Sequence, residues 1–128
     1  FGRTFDVLAC ENLVAETDGR FAGMISLAGD AGDLAITLLS VYPPFQGRGV
    51  GSALVDAAVE RAAGRGLTAV KVAVSNDDIP SYSFYQRHGF AIDTVERGLL
   101  ADRYGSATPG FSGIPVRDEI RLRRSVCR

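Results

Sequence analysis

A chain of 128 residues is long enough for one domain with a real core, and apolar and charged fractions of 46% and 23% exclude the disordered and fibrous classes. The 14 basic and 15 acidic side chains leave a formal charge of −1, which argues against nucleic acid or an anionic membrane surface as partner. No stretch approaches the roughly 20 apolar residues of a membrane span and the first residues do not read as a leader, so a cytoplasmic location, without membrane contact, is expected.

Phe5 to Cys10 reads as the end of a helix or an irregular lead-in. Asn12 to Thr17 alternates, with Leu13 and Ala15 on one face and Val14 and Glu16 on the other. Asp18-Gly19 then predicts a two-residue hairpin turn and Phe21 to Ala28 the return strand. Gly29 to Asp33 is a second turn cluster, and Leu34 to Tyr42 a third strand. The near-continuous hydrophobicity of that strand predicts cover on both faces and a place in the middle of a sheet. Pro43 ends its ladder.

Gln46-Gly47-Arg48-Gly49-Val50-Gly51-Ser52 comes next, and from Val50 to Ala63 the period becomes helical. Leu54, Ala58 and Ala62 recur on one stripe with Val55 and Val59 beside them, opposite Asp56, Glu60 and Arg61, and Gly64 and Gly66 stop the helix. The order is strand, glycine-rich turn, helix. Glycines at 47, 49 and 51 permit positive φ and remove Cβ atoms, so successive amides can converge on an anion at the helix N-terminus. The dinucleotide fingerprint needs a third glycine where Ser52 stands, and the nucleotide P-loop needs a Gly-Lys-Ser/Thr ending that is absent.

Leu67 to Ser75 returns to period two through Val70, Val72 and Val74. A strand, helix, strand unit of this length is expected to cross over right-handed, with parallel strands. Asn76-Asp77-Asp78 supplies N-cap residues, Pro80 suits a first turn, and Ser81 to His88 is a short helix stopped by Gly89. Phe90 to Val95 is a strand, Gly98 to Gly113 a long connection rich in glycine and small polar residues, and Glu119 to Arg124 a closing strand with Ile120 and Leu122 inward. Cys10 and Cys127 have neither metal-ligand spacing nor the density of a disulfide scaffold, and no metal is expected.

Two motifs then decide the reading. Gln-x-x-Gly-x-Gly after a strand, with Phe84-Tyr85-Gln86-Arg87-His88-Gly89-Phe90 one strand later, resembles the two acyl-CoA motifs of the GNAT superfamily of N-acetyltransferases. Gly113 to Leu122 is also similar to the ending of a bacterial subgroup without assigned substrate. The resemblance implies a single α/β domain over residues 1–128, N-terminally truncated, with a GNAT-type mixed sheet of antiparallel hairpin strands and a parallel strand-helix-strand unit, flanked by helices.

It further implies that acetyl-CoA is the cosubstrate and that amides from Gln46, Gly47, Arg48, Gly49, Val50, Gly51 and Ser52 hold its pyrophosphate. Leu39 and Val41 would lie along the pantetheine arm, with the Val41 backbone as hydrogen-bonding partner. Tyr85 would be the acid: a phenol of pKa about 10 can protonate the departing thiolate. The acceptor would be a primary amine of a small molecule or peptide, and a homodimer is expected from the resemblance alone.

The sequence departs from the family pattern in three places. Asp78, seven residues before Tyr85, stands where the family has asparagine; a carboxylate cannot donate to the cofactor arm, so that contact falls to Asp78 in altered form or to Asn76. The third strand holds no carboxylate, which leaves a base to Glu16, Asp118 or Glu119 through water, or an amine that arrives neutral. The strand and helix that open GNAT domains have no counterpart before Phe1. These departures keep a rival open, a GNAT-like module that binds acyl-CoA or a protein without turnover. A different nucleotide-binding enzyme would rest on Gly47 to Gly51 alone.

Overall fold

The computed structural model describes residues 11–105 and 108–126; the readings of Phe5 to Cys10 and of both cysteines fall outside them. The chain divides into two compact units, one made from residues 11–70 with 125 and 126, the other from residues 71–105 and 108–124.

The first unit opens with an antiparallel meander of β1 (Glu11–Thr17), β2 (Arg20–Asp30) and β3 (Asp33–Val41). Asp18 and Gly19 have φ of 53° and 74°, the doubly left-handed turn whose twist matches a two-residue hairpin. The second turn is equally short, with Ala31 and Gly32 at φ 53° and 84°. Gly29, Asp30 and Asp33, expected in the turn, are instead drawn into the ladder. Alanine in the left-handed region costs about 1 kcal/mol, so nothing local pointed to that position.

β3 corrects a second expectation. Asp33 to Ile36 are buried on both faces, but from Thr37 onward burial alternates and Leu38 and Ser40 are exposed. The change falls at a bulge: Ser26 pairs with Leu38 and Leu27 with Ile36, leaving Thr37 extra, and its hydroxyl donates to Ser26 O at 3.2 Å. A bulge bends the strand and re-aims the side chains beyond it. Pro43 ends the ladder as expected, starting a 3₁₀ turn through Phe45, whose ring side chain is buried.

α1 (Val50–Gly64) buries the predicted stripe of Leu54, Val55, Ala58 and Ala62, with Leu54 and Val55 each contributing about 1.5–3 kcal/mol of apolar burial. Its first turn lies directly on β2 because Gly23 has no side chain; a Cβ there would stand 2.7 Å from Ser40 O and 3.2 Å from Val50 Cγ1. At the other end Arg61 and Arg65 both pair with Glu11 of β1. The helix stops at Gly66, φ 69°, where the Leu67 N–H donates to Ala62 O at 3.0 Å.

The second unit takes β4 (Ala69–Ser75) from Lys71 onward, with Val72 and Val74 buried, then α2 (Ile79–Arg87), β5 (Ala91–Glu96), α3 (Leu99–Tyr104) and β6 (Glu119–Ser125) as far as Arg124. β6 runs between β4 and β5 and pairs antiparallel with β5. Leu122 points inward as predicted, whereas Ile120 is only half-buried and Glu119 is fully buried.

The stretch read as one irregular connection contains α3. Leu100 is fully buried there, and the Leu100 and Ala101 N–H groups both donate to Arg117 O, at 2.9 and 3.0 Å. The Gly98 N–H is met by Asp118 Oδ1 at 2.8 Å. A helix of 6 residues is too short to hold by propensity; partners far along the chain hold this one.

Candidate functional site

The glycine loop is built from the end of β3. The Gln46 N–H donates to Pro43 O at 3.2 Å, and its carboxamide Nε2 reaches back to Val41 O at 3.2 Å. Both Gln46 donors and the Val41 carbonyl therefore brace the loop. Gly47 and Gly49 take φ of 77° and 83°, and a Cβ at either would meet nothing within 4 Å. Their glycine identity answers to backbone conformation, and the loop is open on that side.

Gly49 is the N-cap of α1, with no side-chain cap and no acidic residue in the first turn. The first intrahelical bond runs from the Ala53 N–H to Gly49 O at 3.0 Å, so the amides of Val50 and Gly51 precede the first donor of the intrahelical ladder. An uncapped, acid-free helix start behind two left-handed glycines fits a phosphate group, since amide dipoles there favour negative charge. Leu39 and Val41, half-buried on the strand entering the loop, alternate with exposed Leu38 and Ser40.

Tyr85 is the buried residue of α2, 5% exposed. Asp78 caps the helix, its Oδ1 accepting the Ser81 N–H at 3.2 Å, and Pro80 lies in the first turn, where a missing N–H costs nothing. The Tyr85 ring meets Phe84 and Phe90 edge-on at centroid distances of 5.2 and 5.3 Å. Burial pushes its phenol well above the ordinary tyrosine value, and the Asp78 carboxylate pushes it the same way. The proton therefore stays on at neutral pH. His88 sits at the helix end, Nδ1 2.8 Å from Phe84 O.

Asn76 and Asp77 are bonded to the protein itself. Asn76 Oδ1 accepts the Arg117 and Asp118 N–H groups at 2.8 and 3.0 Å, Nδ2 donates to Pro115 O at 3.0 Å, and the Asn76 N–H donates to Asp118 O at 2.9 Å. Asp77 Oδ2 accepts the Phe111 N–H at 3.0 Å. Gly110 lets the chain pass that close: a Cβ would fall 2.5 Å from Asp77 Oδ2. Burial pushes the Asp77 carboxyl up, but hydrogen bonds from the Ser75 side chain and the Phe111 N–H outweigh it and hold it below its usual value.

Three consecutive residues thus tie down 115–118, tie down 111 and cap α2. The sequence had offered Asn76 and Asp78 to a cofactor arm; the partners of Asn76 lie within the Gly113 to Leu122 stretch, and that of Asp78 in the first turn of α2. Of the bases considered, Asp118 accepts the Gly98 N–H, Glu119 is fully buried against Arg121 Nη2 at 3.1 Å, and Glu16 is exposed on β1. No cluster of three metal-ligating side chains occurs among the described residues, and no helix among them is long and apolar enough to cross a membrane.

A sequence profile of the acetyltransferase (GNAT) family matches residues 3–90. The mycothiol acetyltransferase of Clavibacter michiganensis is 37% identical over 84 residues, which is 66% of this chain but 28% of that protein, so this chain spans under a third of that relative. A Bacillus subtilis acetyltransferase solved in complex with CoA superposes with a TM-score of 0.84 at 26% identity, over 93% of this chain and 78% of that one. An IAA acetyltransferase from Bacillus cereus gives 0.79 at 28% identity, over 92% and 79%. The fold class is the expected one, a mixed sheet with antiparallel strands and a parallel pair, flanked by helices. With the glycine loop, the tyrosine helix and the profile match in agreement, the chain is a member of the GNAT acetyltransferase family.

Proposed function

We propose that the chain is an N-acetyltransferase that moves the acetyl group of acetyl-CoA to a primary amine of a small molecule or peptide by direct attack in a ternary complex. The observation that carries this is the open, uncapped glycine loop at the start of α1, built to receive phosphate; the CoA in the related B. subtilis structure supports the choice of ligand. The amides of Gly47 to Ser52 hold the pyrophosphate, with Gln46 bracing the loop, and Leu39 and Val41 flank the arm.

The amine nitrogen adds to the thioester carbon, the tetrahedral adduct collapses, and the C–S bond breaks. The sulfur takes its proton from Tyr85 Oη, the proton lost by the amine passes to solvent, and the Tyr85 phenolate regains a proton from solvent before the next turnover. The phenol holds its proton at neutral pH, so Tyr85 has a proton to donate when the thiolate leaves. No covalent enzyme intermediate is required.

The engagement of Asp118 and Glu119 within the fold favours one rival, a module that holds acyl-CoA without turnover. Calorimetry with acetyl-CoA on the wild type and Gly49→Glu tests the common ground. Saturable binding abolished by the variant is expected, because a side chain at φ 83° strains the loop and its carboxylate repels phosphate. Thiol release across an amine panel then separates transferase from module.

A further inference from the structure

Outside the motif, one side chain shares an aromatic ring with an arginine of the glycine loop. Arg20 opens β2 directly after the first hairpin turn, and Arg48 lies within the glycine loop. Their guanidinium carbons stand 5.4 and 5.8 Å from the centroid of one ring, that of Phe45, which is itself 5% exposed at the 3₁₀ turn. Both arginines are exposed, and among the described residues neither pairs with a carboxylate, unlike Arg61, Arg65 and Arg121.

The ring attracts each guanidinium through its negative face, and the N–H donors of the two forks are met by no carboxylate among the described residues. Gathering two cations on one ring raises their mutual repulsion, and an anion near both reverses the sign of that cost. Planar forks are suited to bidentate contact with phosphate oxygens. The uncapped start of α1, two residues beyond Arg48, adds positive potential of the same kind.

We propose that Arg20, with Arg48, forms a phosphate-binding station for the cosubstrate, Arg20 being a ligand contact outside the glycine motif. The inference rests on the reading of the loop as an acyl-CoA site and deepens it. Coenzyme A presents two phosphate sources, the pyrophosphate and the ribose 3′-phosphate, and both have the chemistry the pair requires.

The test is calorimetry of wild type, Arg20→Gln and Arg20→Lys with CoA and with dephospho-CoA, which lacks the 3′-phosphate, each variant's fold being checked by its melting temperature. Arg20→Gln should bind CoA about tenfold or more weakly, as for loss of a charge-assisted hydrogen bond, with Arg20→Lys between it and the wild type. If the station grips the 3′-phosphate, wild type and Arg20→Gln bind dephospho-CoA equally. If it grips the pyrophosphate, the variant is weaker for both ligands.

Equal CoA affinity of wild type and folded Arg20→Gln overturns the proposal and leaves the acyl-CoA reading standing. Should Arg20→Gln not fold, Arg20→Lys decides, since wild-type affinity there shows that no bidentate fork is used. A folded wild type that binds no CoA removes both.

Discussion

Tyr85 carries the reaction in this reading, and its surroundings say what replacing it should do. Tyr85→Phe keeps the ring and its contacts with Phe84 and Phe90 and removes only the hydroxyl that would donate the proton, so turnover should fall roughly 10²-fold or more while acetyl-CoA affinity stays near wild type. Steady-state kinetics beside calorimetry decide it; unchanged turnover removes the phenol as the acid. At this scale the sequence was informative about local conformation. The left-handed Gly47 and Gly49 and the helix that carries Tyr85 could be read because glycine pattern and aromatic spacing are local. Arg20 could not: its place beside Phe45 depends on a hairpin bringing the start of β2 to the end of β3. Asn76 was legible as a polar residue in the right place but not in its role, since its partners lie in 115–118.

Those partners make Asn76 an element-scale device. Its carboxamide makes three hydrogen bonds to the backbone of the segment that leads into β6, and Arg117 O, from that same segment, receives the first amides of α3. Asn76→Ala should therefore cost about 2–3 kcal/mol, several hydrogen bonds at roughly 1 kcal/mol each, read from the denaturant midpoint. Acetyl-CoA affinity should change little, because the side chain is spent within the fold; a stability loss under about 0.5 kcal/mol or a large affinity loss would refute the assignment. The dependence of α3 on distant carbonyls also explains why no helix was visible in Gly98 to Gly113. α1, by contrast, carries an apolar stripe at helical spacing and glycine stops, so its limits were read to within a residue. The exposed second half of β3 was missed because a bulge leaves no mark in composition: Leu38 is as apolar as Leu34, yet one is exposed and the other buried.

For the whole molecule, two buried acids contribute to how stability varies with pH, one at each end of the range. The Asp77 carboxyl is held below its unfolded value of 3.8, so it contributes stability above that value, which is lost as pH falls through the folded value beneath it. Tyr85 lies on the other side. Its folded value is raised above the unfolded 10.0, so its contribution is complete below pH 10.0 and drains away above it, as the unfolded chain ionises first. Melting temperatures followed against pH for wild type, Asp77→Asn and Tyr85→Phe test both. The advantage of wild type over Asp77→Asn should be flat near neutrality and shrink below pH 3.8, while wild type should lose ground to Tyr85→Phe only above pH 10.0. A gap between wild type and Asp77→Asn that stays constant into acid would mean that the Phe111 contact does not depend on the charge. A Tyr85→Phe curve parallel to wild type through the alkaline limb would mean that the phenol titrates in the folded protein as it does in water.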